Sequence, residues 1–278
     1  VLEYLDRAPI PEPEEREGVV SYRELIYSSP VGFRPLAIDL HIPRADLPPL
    51  VVYIHGGAFR LGHRNILPAA VALLDPFTRL PPLGIAVATV DYRLSGEARY
   101  PACVEDVAAA ISWLRERATE LGVDAGRIAT WGESAGAYLA VRAGNGFSGV
   151  DPVQAIVSWY APVDFGSMGK QGAPWTDEAD SPESQLMGAP VPTIPEAVEE
   201  ASLLSSISAQ SPPTLIMHGT GDHLIPFQQA DMLHDAYRAA GATSTKILIE
   251  GADHAFPEVD PETLRSPVWA FLCDQLLR

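Results

Sequence analysis

Arg127-Ile128-Ala129-Thr130-Trp131, then Gly132-Glu133-Ser134-Ala135-Gly136, then Ala137-Tyr138-Leu139-Ala140-Val141-Arg142-Ala143: this stretch decides the fold. The first five residues read as a buried strand, the last seven as a helix, and the G-x-S-x-G between them as a strand-turn-helix elbow. The turn is so tight that the residues two before and two after the serine must be tiny. Gly132 and Gly136 meet that demand. The elbow lifts the Ser134 hydroxyl into a cleft with a helix N-terminus beneath it, where the Ala135 N–H faces a developing oxyanion.

Outward from the elbow, short and nearly continuous apolar runs recur at 50–54, 85–90, 155–159, 214–218 and 246–249, of the kind buried on both faces of a sheet. Helical periods separate most of them; the clearest places Val104, Val107, Ala108, Ile111 and Leu114 on one face and predicts a helix ending at Gly122. Before them, after an acidic, proline-bearing leader at 9–17, residues 19–27 and 36–42 alternate apolar and polar side chains around Ser29-Pro30-Val31-Gly32, which predicts an opening antiparallel pair. The order predicts an α/β class: a mostly parallel central sheet with helices on both faces. The one break in the rhythm, 164–213, is rich in Gly, Pro and Ser, and reads as an insertion over a site before the strand at 214–218. With no repeat, linker or low-complexity tract, residues 1–278 read as one domain with this cap-like insertion.

A serine hydroxyl is a weak nucleophile until a base takes its proton, and the base needs a carboxylate to orient it. Of seven histidines, His254 follows the last apolar run in Gly251-Ala252-Asp253-His254, and it is the predicted base. His41 and His218 fall within strands; His63, His223 and His234 fall in loops or a helix. Asp222, just past the preceding run, is the predicted acid, with Asp164 as its rival; Asp253 is badly directed toward its own neighbour's ring. The order Ser134, Asp222, His254 is nucleophile, acid, base. His55-Gly56-Gly57-Ala58-Phe59 follows the run 50–54, and its glycines let backbone amides point into the cleft. Gly56, Gly57 and Ala135 are the predicted oxyanion donors, and His55 is read as a brace for the loop.

Together the HGG loop, Asp91-Tyr92-Arg93-Leu94, the GESAG elbow, the HGTGD segment and the G-x-x-H-x-F ending resemble the α/β hydrolase superfamily, in its esterase branches, from about residue 20 onward. Ser95, Ser181-Pro182-Glu183-Ser184-Gln185-Leu186 and Ile225-Pro226 make the BD-FAE-type esterases the most similar group. Hormone-sensitive-lipase-like esterases come second, because they usually carry an aspartate where Glu133 stands and a longer helical N-terminal cap. The resemblance implies that Asp91, Tyr92 and Arg93 hold the oxyanion loop in place.

Composition narrows the partners. Acidic residues outnumber basic ones 36 to 19, for a net charge of -17, which repels nucleic acid and anionic membrane surfaces. No apolar run approaches the roughly 20 residues that span a bilayer. Cys103 and Cys273 are far apart, no metal-type spacing exists, and no basic-plus-apolar leader opens the chain. The expectation is a cytoplasmic serine esterase that needs neither metal nor cofactor and takes small esters with short-chain or compact aromatic acyl groups. Trp175, Met168, Met187 and Glu133 are the expected substrate-binding residues. An acyltransferase or cyclase, or a peptidase or formamidase, would use the same triad, and the sequence leaves these alternatives and the oligomeric state open.

Overall fold

The computed structural model describes residues 4–278. Nine strands form one sheet: β1 (Glu14–Arg16), β2 (Val19–Ser28), β3 (Leu36–Pro43), β4 (Leu50–Ile54), β5 (Ala86–Val90), β6 (Ile128–Glu133), β7 (Ala155–Trp159), β8 (Thr214–Gly219) and β9 (Ser244–Ile249). Their spatial order is β1-β2-β3-β5-β4-β6-β7-β8-β9. The first three strands and the β3–β5 junction are antiparallel, and β5, β4, β6, β7, β8 and β9 run parallel. This is the mostly parallel sheet that the apolar runs predict.

Because successive side chains in a strand point to opposite faces, each buried strand feeds two cores. In β4, Leu50, Val52 and Ile54 join the core beneath the helices Ala102–Glu116, Ala135–Gly144 and Gln228–Ala240. Val51 and Tyr53 join the opposite core, under the helices Ala69–Leu74 and Pro261–Leu276. Trp131 and Trp159, edge to face at 5.3 Å, anchor that second core; such a pair adds about 0.5–1.5 kcal/mol beyond its buried area.

Three details differ from the sequence expectation. The segment read as a leader contributes β1, a three-residue exposed strand too short to show alternation. The helix predicted to run to Gly122 stops at Glu116 and resumes as Ala118–Leu121, with Gly122 in the left-handed region at φ 73° closing it. Strand β3 is buried along its whole length, polar positions included, because Arg64 covers Asp39 and Ser21 meets the His41 ring.

Residues 164–213 fold into short helical pieces, among them Phe165–Met168, Pro182–Met187 and Pro195–Ala201. Their apolar side chains Met168, Leu186, Val198 and Leu203 pack into the first core. Buried Gln229 pins the start of the segment: its Oε1 accepts the Val163 and Asp164 N–H groups, each at 2.7 Å. Tyr138 Oη donates to Ala201 O at 2.6 Å and pins the far end.

Candidate active site

The loops that follow β4, β6, β8 and β9 meet at the carboxyl edge of the parallel strands, where open α/β sheets bind their ligands. Ser134 turns the chain from β6 into the helix Ala135–Gly144 at φ 52°, ψ −124°, and its N–H donates to Trp159 O at 2.9 Å. Both glycines are sterically required. A Cβ on Gly132 would run into the Gly136 carbonyl, and one on Gly136 into the carbonyls of Ile54 and His55 at the end of β4.

His254 Nε2 lies 3.1 Å from Ser134 Oγ, and its Nδ1 lies 2.7 Å from Asp222 Oδ2. With Nδ1–H donating to the carboxylate, Nε2 carries the free lone pair and faces the serine hydroxyl, the arrangement a general base requires. Asp222 is held by three donors. Its Oδ1 accepts the Leu224 and Ile225 N–H groups at 2.9 and 2.8 Å, and its Oδ2 accepts from His254; the buried His218 ring stands beside it, Nε2 3.2 Å from Oδ2, and hydrogen-bonds Ile225 O at 2.9 Å. Burial alone would raise the Asp222 pKa, but the His218 and His254 imidazoles beside it outweigh that and hold the carboxyl well below the usual carboxylate range. The rivals lie elsewhere: Asp164 lines a separate groove with Val198 and Ser202, and Asp253 faces the His223 ring and the His254 backbone N–H, at 2.6 Å each.

The HGG loop differs from expectation at its first glycine. The Gly56 N–H donates to the Glu133 carboxyl beneath it, so it does not serve as an oxyanion donor. Gly57 and Ala58, whose amides meet no partner among the described residues, line the cavity beside Ala135. Ala58 is thus a site residue the sequence reading missed; its φ of 56° belongs to the same turn as Gly57 at φ 106°. Glu133 is buried, and burial pushes its carboxyl up to about 8, against the lowering effect of the Gly56 N–H. It lines the cavity as expected, but as the support of the loop.

Tyr92 Oη donates to His55 O at 2.9 Å, and its ring stacks on the His55 imidazole at 4.4 Å. Burial lowers the His55 pKa to about 4, which suits a neutral brace. At the loop's other end, buried Arg64 donates to Asp39 Oδ1 at 2.8 Å, Asp91 Oδ2 at 2.7 Å and Glu24 Oε1 at 3.1 Å. Tyr92 and Asp91 therefore fix the loop as the resemblance implies. Arg93 does not: it forks onto Asp106 of the helix Ala102–Glu116 at 2.7 and 2.8 Å.

The cavity measures about 700 Å³ and is lined by Ser134, His254, the HGG loop, Leu61, Ile66, Pro162, Trp175, Glu183 and Leu224, among others. Trp175 is 40% exposed and also lines a neighbouring groove of about 570 Å³. Met168 and Met187 are not on the wall. Met168 is fully buried and Met187 packs against the same core, so both anchor the insertion to the body. His218 and Glu183 were also missed as site residues: a histidine inside a strand reads as packing, and Glu183 enters the sequence reading only within the stretch 181–186 that carries the family resemblance. Among the described residues no group of three or more His, Cys, Asp or Glu side chains is arranged to hold a metal ion, and no helix is long and apolar enough to cross a membrane.

Known proteins resemble this chain in sequence and in fold. A family model described as BD-FAE matches residues 38–237. Esterase LipC of Mycobacterium tuberculosis is 29% identical over 243 residues, covering 78% of this chain and 56% of that protein. Esterase LipQ of the same organism is 29% identical over 222 residues, covering 75% and 50%. The chain therefore spans about half the length of the curated relatives it matches. Among solved structures, a truncated form of carbohydrate esterase from gut microbiota is similar, with TM-score 0.76 and 26% identity over 87% of this chain and 91% of that one.

Proposed function

The chain belongs to the BD-FAE family and has the α/β-hydrolase fold of its esterase relatives, and on that premise we propose that it is a serine hydrolase of carboxylic esters. One observation carries the proposal: the His254 imidazole bridges Ser134 Oγ and the Asp222 carboxylate at 3.1 and 2.7 Å. Ser134 attacks the ester carbonyl as His254 takes its proton, and Asp222 stabilises the imidazolium that forms. The carbonyl oxygen becomes an oxyanion against the Gly57, Ala58 and Ala135 amides, each such donor being worth about 2.7–4 kcal/mol of barrier. His254 then returns the proton to the departing alcohol. Water, activated by the same imidazole, releases the acid from the acyl-enzyme.

The substrate in this proposal is a small ester with a short-chain or compact aromatic acyl group. Trp175 supports that choice, because its indole forms part of the wall between the cavity and the neighbouring groove. The segment 164–213 acts as a cap on a single catalytic domain, a role supported by Trp175 and Glu183, which it contributes to the cavity wall. The setting we propose is cytoplasmic, and recovery of the activity from a cytosolic rather than a secreted fraction tests it.

Ser134→Ala tests the assignment. Turnover of activated acyl esters should fall to the residual level that binding and the oxyanion donors sustain, with circular dichroism unchanged. A serine-directed phosphonate should add once to the parent chain, at the peptide containing Ser134. Labelling at another residue, or turnover that survives the substitution, refutes the proposal.

A further inference from the structure

The cavity carries one carboxyl for which the acyl-transfer chemistry has no use. Glu183 stands in the first turn of the helix Pro182–Met187, whose N-cap Ser181 accepts the Ser184 N–H at 3.0 Å. It is only 5% exposed, and it lines the same cavity as Ser134 and His254. Among the described residues no other side chain or backbone donor reaches its carboxyl; its own backbone N–H is the one local partner. An ionised carboxyl offers about four acceptor positions, and with no protein donor these open onto the cavity, where a bound molecule can fill them. Burial pushes its pKa up to about 7, while its own backbone N–H and the charge of Arg60 act in the lowering direction.

The surroundings say what could fill them. Much of the wall is apolar, formed by Leu61, Ile66, Pro162, Trp175 and Leu224, so a polar group on a bound ester finds few partners there. Arg60, on the loop that carries the oxyanion donors, lines the cavity too and donates to Asp180 O at 3.2 Å. An anionic substituent would meet the Glu183 carboxyl, and an ammonium group would meet the Arg60 guanidinium. A neutral hydroxyl avoids both repulsions and supplies the donor that Glu183 lacks.

We propose that Glu183 is a specificity-determining residue that accepts a hydrogen bond from a free hydroxyl of the bound ester, so that the site selects hydroxylated esters over their deoxy counterparts. The proposal rests on the serine-esterase reading of the site. It places the recognition element on the insertion, apart from the elbow and the triad, so that discrimination and acyl transfer are carried by different segments of the chain.

The test uses matched ester pairs in which one hydroxyl is replaced by a methyl group. Three families suffice: monoacetates of linear diols against the corresponding alkyl acetates, p-hydroxyphenyl against p-tolyl acetate, and methyl hydroxyalkanoates against methyl alkanoates. The quantity read is the ratio of kcat/KM within each pair, measured for the parent chain, Glu183→Gln and Glu183→Met. A general loss of folded or active enzyme cancels in such a ratio. In at least one family the parent should favour the hydroxylated member by about ten- to a hundredfold, the range that one hydrogen bond to a charged group spans. Glu183→Gln, which keeps an acceptor, should retain part of that preference, and Glu183→Met should lose it. Ratios that are the same in the parent and both variants across all three families overturn the assignment and leave Glu183 as a helix-start residue. If the parent hydrolyses none of these esters, or if Ser134→Ala leaves turnover intact, the esterase reading itself fails and the assignment falls with it.

Discussion

Replacing Glu133 by Gln should make the folding stability of this protein less dependent on pH. The carboxyl is buried beneath the HGG loop, and burial raises its pKa from 4.5 to about 8. Between those values the folded chain keeps a proton that the unfolded chain has lost. Stability therefore falls as pH rises through this window, by about 1.4 kcal/mol per pH unit, and the full window amounts to about 5 kcal/mol. Gln presents the same shape and can accept the Gly56 N–H with its amide oxygen, but it does not titrate. Urea unfolding of the parent and Glu133→Gln, at half-unit steps from pH 4.5 to 8.5, should give stabilities that coincide within about 1 kcal/mol at the acid end. They should then diverge steadily, with the variant the more stable at the alkaline end. The functional counterpart is a fall in kcat as pH rises past 8, where a carboxylate beside the nucleophile would repel the developing oxyanion; the variant should lack that fall. Parallel stability curves across the whole range would show that Glu133 is ionised in the folded protein, and would refute the account of the neutral support given above.

Two other substitutions probe the acid and the acyl wall. His218→Leu removes the hydrogen bond to Ile225 O that fixes the loop holding the Asp222 carboxylate, and the loss of one such bond, about 0.5–1.5 kcal/mol, should lower kcat by roughly two- to tenfold with little change in KM. An unchanged kcat in the variant would count against this role. Trp175→Ala should join the cavity to the groove lined by Gln171, Thr220 and Phe227. The chain-length profile of kcat/KM across p-nitrophenyl esters should then shift toward longer acyl groups, by about 1–3 kcal/mol per methylene accommodated, and an unchanged profile would leave Trp175 a structural residue.

The parts of the site that the sequence made legible are those dictated by local sterics or by element order. Gly132 and Gly136 could be read because a tight elbow tolerates no Cβ, and the structure sets each against a specific carbonyl. Asp222 could be read because it follows the buried strand β8, and His254 because it follows the last apolar run, although the structure makes that run the edge strand β9, with no residue fully buried, where the sequence predicts one buried on both faces. What was illegible depends on contacts between distant segments. The Gly56 amide is taken by a carboxyl 77 residues away, which moves the free donors of the loop on to Gly57 and Ala58. Met168 and Met187 look like wall residues in a proline-rich insertion, and only the packed structure turns them inward. Glu183 stands in a stretch that marks the family resemblance, but a six-residue helix defined by its cap gives no periodic signal that would turn its carboxyl toward the cavity.

The anchoring of the segment from His55 to Arg64 bears on how much the site must rearrange during a turnover. Tyr92 grips its first residue, and Arg64 closes the other end on carboxylates from β2, β3 and the end of β5. A peptide loop free to follow the charge would have to turn its dipoles as the tetrahedral intermediate forms, and that reorientation would add to the barrier. Fastened at both ends, it has made this adjustment once, during folding, with the N-terminal hairpin as part of the clamp. Weakening the Arg64 clamp should therefore slow the chemical step even though no residue of the hairpin comes near the ester.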